Sequence, residues 1–166
     1  PSVRWLPEEL FSGVYANRSL LLYYTGLTRT AKSILREIVR GMFLNSGPHM
    51  ALLREIGEHA EHTHAVIQRN DWPGLCAAIN RSWQLNQLLD SGTNPPAVQA
   101  ILSSIGDWVA GAKLLGAGGG GYMLICAKDE TAAQRIRRTL QAAPANRRAR
   151  FVDLSLSSTG LEVTRS

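Results

Sequence analysis

Five of the six positions from Gly116 to Gly121 are glycine, with Lys113-Leu114-Leu115 before them and Tyr122-Met123-Leu124 after. Glycine loses more backbone freedom on folding than any other residue, so a cluster this dense needs a structural reason. It opens positive φ angles, lets the main chain press against another surface, and leaves N–H groups free to converge on an anion. The run therefore predicts a backbone cradle beside a phosphate, or beside an element that holds one.

Gly116, Gly118 and Gly121 also satisfy G-x-G-x-x-G. In a dinucleotide-binding fold that pattern follows a strand, opens a helix and precedes an acid by about 20 positions. Here Tyr122 to Ala127 reads as a strand, and Gln141 stands where the ribose-binding acid belongs. A Walker A loop would carry Gly-Lys-Ser/Thr after the glycines, and that is missing too. What remains is strand, glycine loop, strand. A plain wide hairpin is the alternative, although such a turn needs only one or two glycines.

A chain of 166 residues is long enough for one domain with a proper core. Its 45% hydrophobic and 19% charged content is ordinary for a soluble protein. No apolar run approaches the length that crosses a bilayer, so no membrane partner is expected. Cys76 and Cys126 fall in apolar surroundings and read as buried free thiols of a cytoplasmic protein. The net charge of +5 comes mostly from arginine, with one dense group at Arg135, Arg137, Arg138, Arg147, Arg148 and Arg150. Aromatic residues do not interleave with that group as a nucleic-acid binder would want, so a solvated face is expected. An anionic small substrate such as ATP suits the charge. The opening Pro1-Ser2-Val3-Arg4-Trp5-Leu6-Pro7 reads like a strand already under way, which suggests a piece of a longer protein.

Leu20 to Tyr24 is apolar enough for a buried strand. A helix follows, with Ala31, Ile34, Leu35, Ile38, Val39, Met42 and Phe43 at helical spacing. A second runs from about Pro48 to Arg69, with Leu52, Leu53, Ile56, Ala60, Thr63 and Ile67 inward. Asp71 caps a third, whose inward residues are Trp72, Leu75, Cys76, Ile79 and Trp83. Pro95 and Pro96 start a fourth, carrying Ala97, Val98, Ile101, Leu102 and Ile105. A fifth spans Glu130 to Gln141. Phe151 to Leu156 then alternates as a half-buried strand, and Ser157 to Gly160 turns back. Strands separated by runs of helices predict an α+β domain with an antiparallel sheet covered by helices.

Thr25-Gly26-Leu27-Thr28-Arg29-Thr30-Ala31-Lys32 places hydroxyls, an arginine and a lysine at a helix start, where N–H groups and the dipole favour anions. Thr25 and Arg29 are candidate substrate-binding residues; a capped helix with solvated basic residues fits the stretch equally well. His59, His62 and His64 do not converge on one side of a helix, and no H-E-x-x-H order is present, so no metal site is expected. Asn86 reads as a buried hydrogen-bonding residue, and Asp90-Ser91-Gly92-Thr93-Asn94 as a turn with a cap.

Lys113 to Gly121 closely resembles the third, C-terminal motif of the galactokinase, homoserine kinase, mevalonate kinase and phosphomevalonate kinase (GHMP) superfamily. Three further stretches resemble bacterial L-fucose kinases, often the C-terminal part of bifunctional L-fucokinase/GDP-L-fucose pyrophosphorylases. They are Leu21 to Lys32, Arg40-Gly41-Met42-Phe43-Leu44-Asn45-Ser46 and Asp90 to Pro96. D-glycero-D-manno-heptose 7-phosphate kinases share the Tyr-Thr-Gly and glycine stretches and are the alternative, beside a non-catalytic ligand-binding module. The resemblance implies the superfamily's ferredoxin-like C-terminal domain over residues 1–166, from an ATP- and Mg²⁺-dependent sugar kinase. Gly116, Ala117, Gly118, Gly119, Gly120 and Gly121 would then support the phosphate-binding loop of an N-terminal kinase domain in the same chain. That domain's P-x-x-x-G-L-x-S-S loop and catalytic carboxylate are not found here, so no catalytic residue is assigned.

Overall fold

The computed structural model describes residues 6–12, 18–28, 39–40, 43, 47–116 and 118–156. The segment expected to be a helix after Thr28 lies mostly outside them, as do Pro1 to Trp5 and the turn after Leu156.

The glycine run joins β2 (Val109–Leu114) to β3 (Tyr122–Ala127) as a hairpin. β3 pairs with β1 (Leu20–Tyr24), which pairs with β4 (Arg150–Val152), so the order is β2-β3-β1-β4 and every pairing is antiparallel. Four longer helices among the described residues pack on this sheet, beside the short helix Glu9–Ser12 with its buried Leu10: α1 (Gly47–Gln68), α2 (Trp72–Leu89), α3 (Pro96–Ile105) and α4 (Glu130–Ala142). The architecture is the expected α+β one.

Local chemistry sets the helix starts. Asp71 accepts from the N–H of Gly74 at 2.9 Å, with Pro73 in the first turn of α2. Asp129 does the same for α4, accepting from Ala132 N–H at 2.7 Å.

Strand alternation sends successive side chains to opposite faces. One face carries Leu21, Tyr23, Ala112, Leu114, Met123 and Ile125, all buried against Val98, Ile101 and Ile105 of α3 and Ile136 and Leu140 of α4. The other carries Leu20 and Cys126, buried under Val66 of α1 and Trp72, Leu75, Cys76 and Ile79 of α2. A Cβ on Gly111 would run into the backbone carbonyl of Cys76, so α2 rests main chain against main chain on β2.

Three expectations fail. The final strand stops at Val152, and Leu154 and Leu156 are exposed. Their alternation has no strand beside it to bury against. In α1 the predicted inward stripe is only half-buried, Ala60 is exposed, and Val66 is the buried residue. Ile56, Ala60, Thr63 and Ile67 of that stripe line a cavity between α1 and α2. Ala97, expected inward on α3, is likewise exposed.

Candidate functional site

The five glycines of the run take φ angles of 71°, 87°, 78°, 158° and 86° at Gly116, Gly118, Gly119, Gly120 and Gly121. Side chains rarely adopt such angles, so the glycine content has a direct backbone cause. Ala117 lies outside the described residues.

The loop is tied down on two sides. Gly119 N–H donates to the Thr93 carbonyl at 2.8 Å, and Gly121 N–H donates to the Leu27 carbonyl at 2.9 Å. The Gly121 carbonyl accepts from both the Thr25 N–H at 2.9 Å and the Thr25 hydroxyl at 2.8 Å. A Cβ on Gly118 would stand 3.1 Å from the Thr93 carbonyl oxygen, and one on Gly120 2.6 Å from that of Leu27. The close approach is therefore to two segments of this same chain. Gly119 and Gly121 point their amides inward, whereas those of Gly118 and Gly120 make no hydrogen bond to the described residues. A phosphate oxygen is the acceptor that such spare amides in a glycine turn suit.

Each clamp has its own support. Thr93 is buried; its hydroxyl donates to the Asn86 carbonyl at 3.3 Å and its N–H to the Asp90 carbonyl at 3.0 Å. Asp90 accepts from Gly92 N–H at 2.9 Å, making a short turn that presents Thr93 to the loop. On the other side Asn146 Nδ2 donates to the Thr25 carbonyl at 2.8 Å. Its Oδ1 accepts from Arg148 N–H at 2.9 Å and Ala149 N–H at 3.1 Å, fastening an arginine-bearing turn beside Gly26. The Arg150 guanidinium lies 5.0 Å from the Tyr24 ring centre, and Tyr24 stands 5.1 Å from Tyr122.

Thr25 is fully buried, with its hydroxyl committed to Gly121 and to Leu27 N–H at 3.3 Å. It orders the loop from beneath. Arg29 lies outside the described residues. His59 and His62 stack at 6.2 Å, but the Nε2 of His59 is bonded to the Ala78 carbonyl at 2.8 Å. Among the described residues no group of three or more His, Cys, Asp or Glu could hold a metal. Cys76 and Cys126 are buried and free; the neighbouring Cys76 thiol, with burial, pushes the Cys126 thiol up, so that it stays protonated. Burial holds the Lys113 ammonium below the ordinary lysine range.

The sequence flagged Asp90 to Asn94 only as a turn, and nothing local marked Asn146, whose partner is 121 positions away. That the first stretch, the turn and the glycine run form one cluster is a product of the fold.

Solved structures share this fold. The mevalonate kinase of L. major, in complex with R-mevalonate, superposes on 84% of this chain and 44% of its own, with TM-score 0.68 and 19% identity. That of Methanococcus jannaschii covers 94% and 44%, with TM-score 0.66 and 17% identity. The fold is thus that of one part of these mevalonate kinases. The match of residues 63–146 to the family model "GHMP kinases C terminal" makes the identification narrower: the chain belongs to the GHMP kinase C-terminal family. It is 51% identical over all 166 residues to the L-fucokinase/L-fucose-1-P guanylyltransferase of Bacteroides fragilis, spanning 18% of that protein. It is 27% identical over 122 residues to the bifunctional fucokinase/GDP-fucose pyrophosphorylase of Arabidopsis thaliana, spanning 12% of it. The structure contains no helix, among the described residues, long and apolar enough to cross a membrane.

Proposed function

We propose that this chain is the C-terminal domain of an ATP-dependent kinase that phosphorylates L-fucose at its anomeric hydroxyl. The observation that carries the reading is the clamped glycine hairpin, with Gly118 and Gly120 amides left for an acceptor. The identity over the whole chain to a fucokinase-containing protein supports the choice of sugar.

In this reading the N-terminal domain of the same polypeptide brings the nucleotide-holding loop and the base. The anomeric oxygen attacks the γ-phosphorus, the bond to the β-phosphate oxygen breaks, and ADP leaves. Such transfer depends mainly on positioning and on neutralising phosphate charge. Gly116 to Gly121, with Ala117, form a rigid wall against the phosphates. Thr25 acts on the substrate side through the backbone it orders, and Arg29, just beyond Thr28, adds charge there. Mg²⁺ would arrive with the phosphates and offset their charge; this chain's described residues offer it no carboxylate cluster.

The test is ATP-dependent phosphorylation by the longer protein that contains this chain. Transfer to L-fucose, with little to D-glycero-D-manno-heptose 7-phosphate, is the expected result. Preference for the heptose replaces the sugar assignment, and phosphorylation of neither overturns the kinase reading. Gly120→Val should raise the ATP requirement far more than Gly121→Ala, because only the former collides with a clamp.

A further inference from the structure

Between α1 and α2 lies a cavity of about 410 Å³. That volume falls within the range of small-molecule sites. Its walls combine Ile56, Ile67 and Leu85 with the polar His64, Ser82 and Asn86. Two braces hold the helices apart around it: the bond from His59 to the Ala78 carbonyl, and the Arg81–Glu55 ion pair.

Two features of the lining lack their usual partners. His64 Nε2 is buried and has no hydrogen-bond partner among the described residues. Buried ring nitrogens are normally satisfied, so an orphan on a residue that lines the cavity marks a missing donor or acceptor, which a small turn of the ring would bring within reach. Lys113 reaches from β2 to the opposite wall and donates from Nζ to Ser82 Oγ at 2.7 Å. No carboxylate among the described residues pairs with this half-buried ammonium. A hydroxyl that accepts from an ammonium keeps its own proton to donate. Ser82, which lines the cavity with Ile56 and Leu85, thus has an O–H to donate beside a positive charge.

We propose that this cavity binds a small organic anion, whose branched apolar body lies among Ile56, Ile67 and Leu85 and whose carboxylate or phosphate group takes the Ser82 hydroxyl, backed by Lys113, and His64. The site is separate from the glycine loop and does not depend on the kinase reading. Asn86 belongs to both neighbourhoods, since its carbonyl accepts from the Thr93 hydroxyl that supports the loop clamp.

The experiment is a side-chain NMR titration of the purified protein, following the His64 ring and the Lys113 ε-methylene. The probes are isovalerate, isobutyl phosphate and the neutral isostere isovaleramide. Saturable shifts of both side chains with at least one of the two anions, and much weaker ones with the amide, are expected. Which anion binds more tightly tells a carboxylate ligand from a phosphate ester. Ser82→Ala and Lys113→Met should each weaken anion binding by about tenfold, the scale of one lost charge-assisted hydrogen bond. Backbone spectra of both variants report that the sheet is intact, and Ser82→Ala serves alone if Lys113→Met fails to fold. No saturable shift with either anion, equal binding of the amide, or unchanged affinity in Ser82→Ala overturns the proposal.

Discussion

One face of the sheet is closed from end to end, whereas the other is closed only at the end remote from the glycine loop. Along the first, the cross-strand rows Ala112–Ile125–Leu21 and Leu114–Met123–Tyr23 are buried under α3 and α4. Along the second, only Leu20 and Cys126 sit in a buried cluster. The next row, Lys113–Leu124–Leu22, is half-buried, and beyond it Leu115 and Tyr122 are each 41% exposed. The closed face is apolar apart from the buried Tyr23 hydroxyl, and its area serves stability. The open end carries a cation, an aromatic pair and a glycine hairpin, where solvent and ligands have access. Stability and chemistry are thus divided between the two sides of the same three central strands.

The largest effect should come from the closed face. Ile125→Ala removes a side chain with no exposure and should cost about 3 kcal/mol, read as a lower denaturant midpoint. A cost below about 1 kcal/mol would mean that this face is loosely packed, and the contrast would collapse. Next comes Gly120→Val, which adds a collision with Leu27 to a left-handed backbone and should cost about 2 kcal/mol. Hydrogen exchange at the Gly121 amide should accelerate with it; unchanged exchange would separate the clamp from the glycine. Asn146→Ala removes the bond to the Thr25 carbonyl and should cost about 1 kcal/mol.

The open end should be forgiving by comparison. Leu115→Ser should change stability by no more than about 0.5 kcal/mol in this chain. A larger loss in the longer protein, measured by the same unfolding experiment, would sharpen the comparison by showing that this row is covered there. Lys113 should give the smallest effect. Its folded value lies below the ordinary 10.5, so the folded state releases the proton first as pH rises. The Lys113 contribution to stability should therefore grow with pH through the interval between the lowered value and 10.5, read as a positive difference in the slope of stability against pH between the parent and Lys113→Met. A slope of opposite sign would place the ammonium in a favourable site and remove the desolvated cation.

Much of this molecule was readable from local pattern. The inward residues Trp72, Leu75, Cys76, Ile79 and Trp83 of α2 are all buried, and Asp71 caps that helix as its position suggested. Helical periodicity and capping act over one or two turns, so a linear string records them. The alternation of Val152, Leu154 and Leu156 misled because period two describes a strand only when another strand or a core lies alongside. The α1 stripe was legible as a stripe, but not as the wall of a cavity. A stripe gives no distance to its partner.

The glycine run could be read as a hairpin with a purpose, since a density of glycine is a property of the chain itself and positive φ is a property of single residues. Its clamps could not. Thr25, Thr93 and Asn146 each reach the cluster from a different part of the sequence, and each does so through hydrogen bonds to backbone atoms that carry no residue-specific signal. The sequence by itself determined helices α1 to α4, the core residues of α2 and the glycine turn, because those depend on neighbours a few positions away. Only the packing of strands and helices decided which backbone the glycines rest on, where a lysine loses its solvent, and which end of the sheet stays open. These are distances between remote residues, and such distances exist only once the chain has folded.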